Sequence, residues 1–284
     1  MADRARIGNV EIIGLLDVGP GARDPSAMFP QGTPDVWARY KQYMTEDGKY
    51  PTNNSCFFVR TPQHNILVDT ALGKGPHANQ GGVMGKMLDA LKQKAGIGPE
   101  DITLVLITHL HGDHIGWNVD YSGGKPKPTF PKAKYIIPEG DWDYYTKSPE
   151  PPLERRRAVE EQMAPLVFQM NLVEFVKGEK QVAPEITTVP TPGHTPGHQC
   201  FYIQSGGQKA MLTGDLFHSP MQVEHPEWYM GADVDKVLSS KSRAAMMDKF
   251  AKERFNAVCA PHIVVGKNIG QVIELEGRKM WQVV

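Results

Sequence analysis

Cysteine is scarce in this chain, three residues in 284, and Cys56, Cys200 and Cys259 lie far apart inside apolar stretches. A scattered, odd-numbered set excludes a disulfide framework and a thiolate zinc knot. It reads as three buried small hydrophobes in a reduced, cytoplasmic compartment. An excess of either charge is also missing, since 31 Lys and Arg face 32 Asp and Glu. That balance removes the electrostatic case for nucleic acid or a membrane surface as a partner. No apolar run is long enough to span a bilayer, and the opening MADRARIGNVEIIG lacks the unbroken apolar stretch of a secretory signal. Low-complexity linkers and shifts of composition are absent as well. Residues 1–284 therefore read as one domain, long enough for a sizeable core.

What is present is histidine, unevenly placed. Three of the ten histidines fall in THLHGDHIG, residues 108–116, which sets His109, His111 and His114 beside Asp113. Upstream, DITLVLIT is apolar and β-branched and reads as a buried strand ending at Thr108. Further strands are expected at NVEIIGLLDV, SCFFVRT, NILVDTAL, KYIIP, EITTVPT, CFYIQS, KAMLTGD and FNAVCAPH. Helical spacing predicts a helix over 83–95 that buries Val83, Met87, Leu88 and Leu91, and longer charged helices over 153–170 and 233–255. Strands in both halves with helices between them imply two packed sheets with helices outside. The stretches 20–52, 119–130 and 218–232, rich in Pro, Gly, Trp and Tyr, are too long for plain turns and are expected to wall a pocket.

How the strands end is the informative feature. ITLVLIT runs into His109, ITTVPTPGH delivers His194, KAMLTGD delivers Asp215, and NAVCAPH delivers His262. One histidine after a strand is usually structural; four metal-competent endings together with the dense cluster imply convergence on one site. The candidate ligands are His109, His111, Asp113, His114, His194, Asp215 and His262. Five imidazoles and two carboxylates suit a borderline divalent ion such as zinc, and also manganese, cobalt or iron. Seven ligands exceed what one tetrahedral ion uses, so two ions sharing a carboxylate fit better. Two such ions can hold a hydroxide between them near neutral pH and clamp both sides of a displacement, which is hydrolytic machinery.

The ordered series HLHGDH, PGH, GD and PH resembles the metallo-β-lactamase superfamily, from about residue 10 to residue 265. The resemblance implies an α/β fold, an αββα sandwich of two mixed β-sheets flanked by helices. It also implies that His109, His111 and His194 hold one metal, that Asp113, His114 and His262 hold the second, and that Asp215 bridges them. ILVDTALG resembles the family's first motif, whose aspartate, Asp69 here, supports the site from behind the ligands. TPGHTPGHQ with GDLFHSP is similar to the branch of N-acyl-homoserine lactonases and methyl-parathion-hydrolase-like enzymes. The lactonases of that branch tend to carry a tyrosine three residues after the bridging aspartate, where this chain has His218. The segment IVVGKNIG after His262 only loosely resembles the proline-rich stretch of the organophosphate-hydrolysing group. A homodimer is a further implication of the lactonase resemblance.

The expected activity is hydrolysis of a small ester-like bond by a metal-bridging hydroxide, a lactone first and a phosphotriester or aryl ester second. Behind these come two activities found elsewhere in the superfamily, that of a β-lactamase and that of an iron-dependent thiol oxidase. Asp113 and His218 are the candidate catalytic residues, His218 as acid, proton relay or substrate contact. His198, four residues after His194, is expected to support the ligands or pack, and His64 to sit in a hairpin turn. Trp117, Trp228 and Tyr229 are the candidate apolar walls of a substrate pocket. The basic run Arg155–Arg157 lies in a helix with Glu154, Glu160 and Glu161 and reads as a solvated face.

Overall fold

The computed structural model describes residues 3–284, the Asn79 side chain excepted. Two seven-stranded sheets dominate it. In spatial order the first runs Arg4–Ile7, Val10–Arg23, Tyr50–Arg60, Asn65–Val68, Leu104–Leu106, Lys134–Pro138 and Val173–Val176. Its first four strands pair antiparallel and the remainder join in parallel. The second runs Gln181–Ala183, Ile186–Pro190, Gln199–Ser205, Gln208–Leu212, Ala257–Cys259, Ile269–Leu275 and Arg278–Val283. It is antiparallel except where Gln208–Leu212 meets Ala257–Cys259.

Alternation of side chains along a strand explains how both faces of each sheet are used. In the first sheet Ile12, Phe57, Val59 and Ile66 point towards the second sheet, where they meet Phe201, Ile203, Leu212 and Cys259. Their neighbours Ile13, Phe58, Leu67 and Val105 point the other way, against Met87 and Leu91 of the helix Met87–Ala95 and against Trp142 and Tyr145 of Glu139–Lys147. The outer face of the second sheet, with Cys200, Met211 and Val258, is covered by Met246, Met247 and Phe250 of the helix Lys236–Glu253. Each large apolar side chain so buried contributes about 1.5–3 kcal/mol, and the layers stack helix, sheet, sheet, helix.

All nine expected strands lie where the pattern placed them, and the three cysteines are free and buried. Two helical expectations need adjustment, and one further helix is present. Val83 is 41 % exposed and precedes the helix, because Val83 pairs with His77 in an isolated bridge. Residues 153–170 form two helices, Leu153–Gln162 and Ala164–Phe168, broken at Met163. Pro165 lacks the N–H that a continuous helix would need there. The helix Glu139–Lys147 was not anticipated, since Glu139, Gly140 and Asp141 after KYIIP read as a turn and only Trp142, Tyr144 and Tyr145 follow as large apolar residues. Among the described residues no helix is long and apolar enough to cross a membrane.

Candidate metal centre

Topology makes the strand ends converge. Ile186–Pro190, Gln208–Leu212 and Ala257–Cys259 run in one direction within the second sheet, so residues 191–194, 213–215 and 260–262 emerge at one edge. Asn65–Val68 and Leu104–Leu106, parallel in the first sheet, release Asp69 and His109. The PGH turn is pressed against the long helix at Gly193, which takes a φ of +130° that a side chain would resist.

Two groups of ligand atoms form. In the first, His111 Nδ1 lies 3.1 Å from His109 Nε2 and 3.0 Å from His194 Nε2. Asp215 Oδ2 completes it, 3.1 Å from His194 Nε2 and 3.7 Å from His109 Nε2. In the second, His114 Nε2 and His262 Nε2 are 3.3 Å apart, with Asp113 Oδ2 at 4.0 and 3.7 Å from them. Asp215 Oδ1 reaches this group, 3.1 Å from each imidazole nitrogen. The seven sequence candidates are thus brought together, each carboxylate oxygen of Asp215 serving a different group.

The donor set fits divalent cations. Three imidazole nitrogens crowded this closely cannot all be satisfied by shared protons, and Asp215 Oδ1 is buried without a hydrogen bond. Burial, followed by the nearby imidazoles, holds His109 and His111 well below the usual histidine range and leaves their lone pairs free. Burial opposes charge on His194 too, but Asp215 and Asp233 outweigh it and lift the group to about 9. Burial likewise raises Asp215, yet His114, His262, His218 and His194 together hold it well below the ordinary carboxylate value. Cation binding at such a site displaces imidazole protons.

Behind the ligands stand groups that fix their orientation. His114 Nδ1 donates to Asp69 Oδ2 at 2.8 Å, and Asp69, at φ +62°, also accepts from the amide and hydroxyl of Thr108. His194 Nδ1 donates to Asp233 Oδ1 at 2.7 Å. The fully buried Arg243 backs Asp233 and donates to the carbonyls of Leu216 and Pro226. His262 Nδ1 donates to the Asn53 carbonyl. His198 is a support and not a member of either group: its Nε2 accepts from the Asp215 amide at 3.1 Å. Asp141, wholly buried, accepts from Leu110 N and Gly197 N and so ties the two histidine loops together. Asp233, Arg243 and Asp141 escaped sequence reasoning because nothing in their spacing links them to the ligands they hold.

His218 faces the centre. Its Nε2 lies 3.0 Å from Asp215 Oδ2, its ring stacks on His262, and its Nδ1 is buried without a partner. With Asp215 and His262 it forms a third possible ligand trio. A cleft of about 230 Å³ opens over the centre, lined by Arg23, Met28, Asn54, Arg155 and Met230 among others.

Four expectations are corrected by the side-chain positions. Trp117 lines a different hollow, because its indole N–H is drawn to buried Asp17 at 2.9 Å. Trp228 is 4 % exposed, stacked on His225 and set edge-on to Trp37, which makes it core. Tyr229 lies under the Lys236 ammonium beside a surface hollow away from the cleft. Arg155 is not on a solvated face: it is half-buried, with Nη1 2.6 Å from His111 Nε2. Of the three long loops, 20–52 and 218–232 border the cleft and 119–130 does not. His64 does sit in the turn between Tyr50–Arg60 and Asn65–Val68.

The family model of the metallo-beta-lactamase superfamily matches residues 50–253. The chain belongs to that superfamily. It is a metal-dependent hydrolase of this superfamily, with the superfamily's α/β fold of mixed sheets flanked by helices. Among curated relatives, the N-acyl homoserine lactonase AiiA of Bacillus thuringiensis subsp. kurstaki is 26% identical over 205 residues, covering 66% of this chain and 73% of the relative. The atrochrysone carboxyl ACP thioesterase of Claviceps purpurea is 25% identical over 187 residues, 65% of this chain and 47% of the relative. Among solved structures, the hydrolase AbOPH superposes with a TM-score of 0.85 at 24% identity over 99% of this chain and 96% of its own. AidC, a dizinc quorum-quenching lactonase, superposes at 0.82 with 24% identity over 98% and 95%.

Proposed function

We propose that this superfamily hydrolase cleaves a small ester-like bond, a lactone foremost, with two divalent ions, zinc first among them. His109, His111, His194 and Asp215 would hold one ion, and Asp113, His114, His262 and Asp215 the other. The observation that carries this reading is Asp215, whose two oxygens address two separate sets of imidazole nitrogens. Bound divalent ions supply activated water at neutral pH and polarise the electrophilic oxygen. A cleft of about 230 Å³ falls below the roughly 300–1,000 Å³ usual for larger ligands, which favours a small substrate.

The chain's own residues do the rest. Asp69 and Asp233 fix the tautomers of His114 and His194, leaving each Nε2 to face the centre. Asn54 donates to Asp113 Oδ2 and steadies the most exposed ligand at the mouth of the cleft. Hydrolysis adds a water oxygen to the acyl carbon, breaks the acyl C–O bond and leaves an alkoxide that must take a proton. The attacking water gives up a proton as the alkoxide gains one, and His218, on the cleft and against Asp215, is the proposed relay between them. The lactonase names among relatives near 25% identity support the lactone reading. Hydrolysis of aryl esters or phosphotriesters is the second reading, favoured by His218 standing where lactonases of this branch tend to carry tyrosine.

Elemental analysis of the metal-replete protein, followed by a panel of lactones, aryl esters, phosphotriesters and nitrocefin, tests the proposal. About two ions per chain and fastest turnover of a lactone are expected. One ion per chain, or nitrocefin cleaved while lactones are untouched, would overturn it.

A further inference from the structure

The cleft is lined by two guanidinium groups that form no ion pair with a carboxylate among the described residues. Arg155 and Arg23 both line it. The arginines that pair with carboxylates among the described residues are Arg4, Arg39, Arg60, Arg243 and Arg278, all elsewhere. The acidic side chains of the cleft are Asp113 and Asp215, and both belong to the proposed ligand set.

Arg155 is held at a defined place. It projects from the helix Leu153–Gln162, and its Nη1 contacts His111 Nε2 at 2.6 Å and the Ala232 carbonyl at 3.4 Å. His111 turns Nδ1, not Nε2, towards His109 and His194. An imidazole that ligates through Nδ1 carries its single proton on Nε2 and can no longer accept from a guanidinium. Nη1 then keeps only the long contact to the Ala232 carbonyl, and Nη2 and Nε make no hydrogen bond among the described residues, beside a cleft that Arg155 lines. A half-buried guanidinium with free donors is a match for a planar two-oxygen anion.

We infer that Arg155 anchors a second, non-reacting carboxylate of the substrate, so that the natural substrate is a carboxylate-bearing lactone or ester. Arg23, exposed at the rim, adds to the field that draws such an anion in. The inference rests on the hydrolase reading above and narrows its substrate class.

Two probes that differ by one charge and one methyl group test it: the mono-4-nitrophenyl ester of glutarate and the methyl ester of that same compound. The metal-loaded protein should prefer the charged ester in kcat/KM. Arg155→Met should lower the ratio of charged to neutral by about ten- to a hundredfold, the loss of a charge-assisted hydrogen bond. Arg155→Lys, which keeps the charge without the fork, should lose part of the preference. Calorimetric titration gives a readout free of turnover: glutarate should bind more tightly than butyrate to the parent protein and no more tightly to Arg155→Met. Equal treatment of the two esters by the parent, or a ratio unchanged in both variants, overturns the inference while leaving the hydrolase reading intact. Failure to cleave any ester, with the glutarate preference present and lost in Arg155→Met, sinks the proposed ester and lactone specificity and leaves the anion site standing.

Discussion

At the scale of residues, the centre is a problem of orienting imidazoles. Every ring has one nitrogen for the centre and another for the protein, and the second nitrogen decides which way the first points. His114 leans on Asp69, His194 on Asp233 and His262 on the Asn53 carbonyl. His218 is the exception: one nitrogen touches Asp215, and the other is buried and unpartnered. A proton on Nε2 is shared only with Asp215, so passing it on and taking one back leaves the supports of the other rings in place. An aliphatic alkoxide needs such help and a nitrophenolate does not, so His218→Ala should be selective. Loss of about 10²–10⁴ in kcat on aliphatic lactones is expected, with a small loss on nitrophenyl esters and full metal content. Equal losses on both classes would assign the ring to holding Asp215, and a fall in metal content would make it a ligand.

At the scale of elements, the ligands sit on loops that follow strands, and the loops are fastened to one another. Asp141, at the start of the helix Glu139–Lys147, receives the amides of Leu110 and Gly197 and thereby locks the HLHGDH loop to the PGHTPGH loop. Burial raises its carboxyl from 3.8 to about 6, against those two amides and Thr195, which pull the other way. A raised carboxyl holds its proton more tightly in the folded chain. Its stabilising contribution is therefore complete below pH 3.8 and is lost as pH rises through about 6. Urea unfolding of the metal-free protein and of Asp141→Asn measures this. The stability of the parent relative to the variant should fall by on the order of 3 kcal/mol between about pH 4 and about pH 7. A difference that stays flat across that window would contradict the assignment. Elements were legible in the sequence wherever apolar and β-branched residues ran together, as in Val10–Arg23 and Leu104–Leu106. Where the signal was local chemistry, as at Pro165 or in the bridge that exposes Val83, helical periodicity alone overran the true boundary.

At the scale of the molecule, ligands come from both sheets: His109 to His114 follow the first, and His194, Asp215 and His262 follow the second. An ion bound there ties the halves together and stabilises the folded chain alone. Thermal unfolding should therefore shift upward with added zinc, by the equivalent of about 2.7 kcal/mol at a hundredfold excess over the dissociation constant. Asp215→Ala should lose most of the shift, since the two oxygens of that carboxylate face both groups. An undiminished shift in the variant would show that zinc is held elsewhere.

The seven candidate ligands were visible in the sequence because a metal needs specific residue types, and those types recur at the ends of apolar strands in a fixed order. The two sheets were visible because their strands bury both faces and so read as nearly continuous apolar runs. What lies around the ligands was decided only by tertiary structure. Trp117, Trp228 and Tyr229 are large aromatics near the right motifs, yet each found a better partner away from the cleft: Asp17, the ring of His225 and the Lys236 ammonium. Arg155 looked like one charge among many on a polar helix, and packing turned that charge inward against His111. Asp233 is 39 residues from His194 in the chain and hydrogen-bonds to it in the fold. Residue type and strand order are written locally, whereas the direction of a side chain depends on which other segments pack against it.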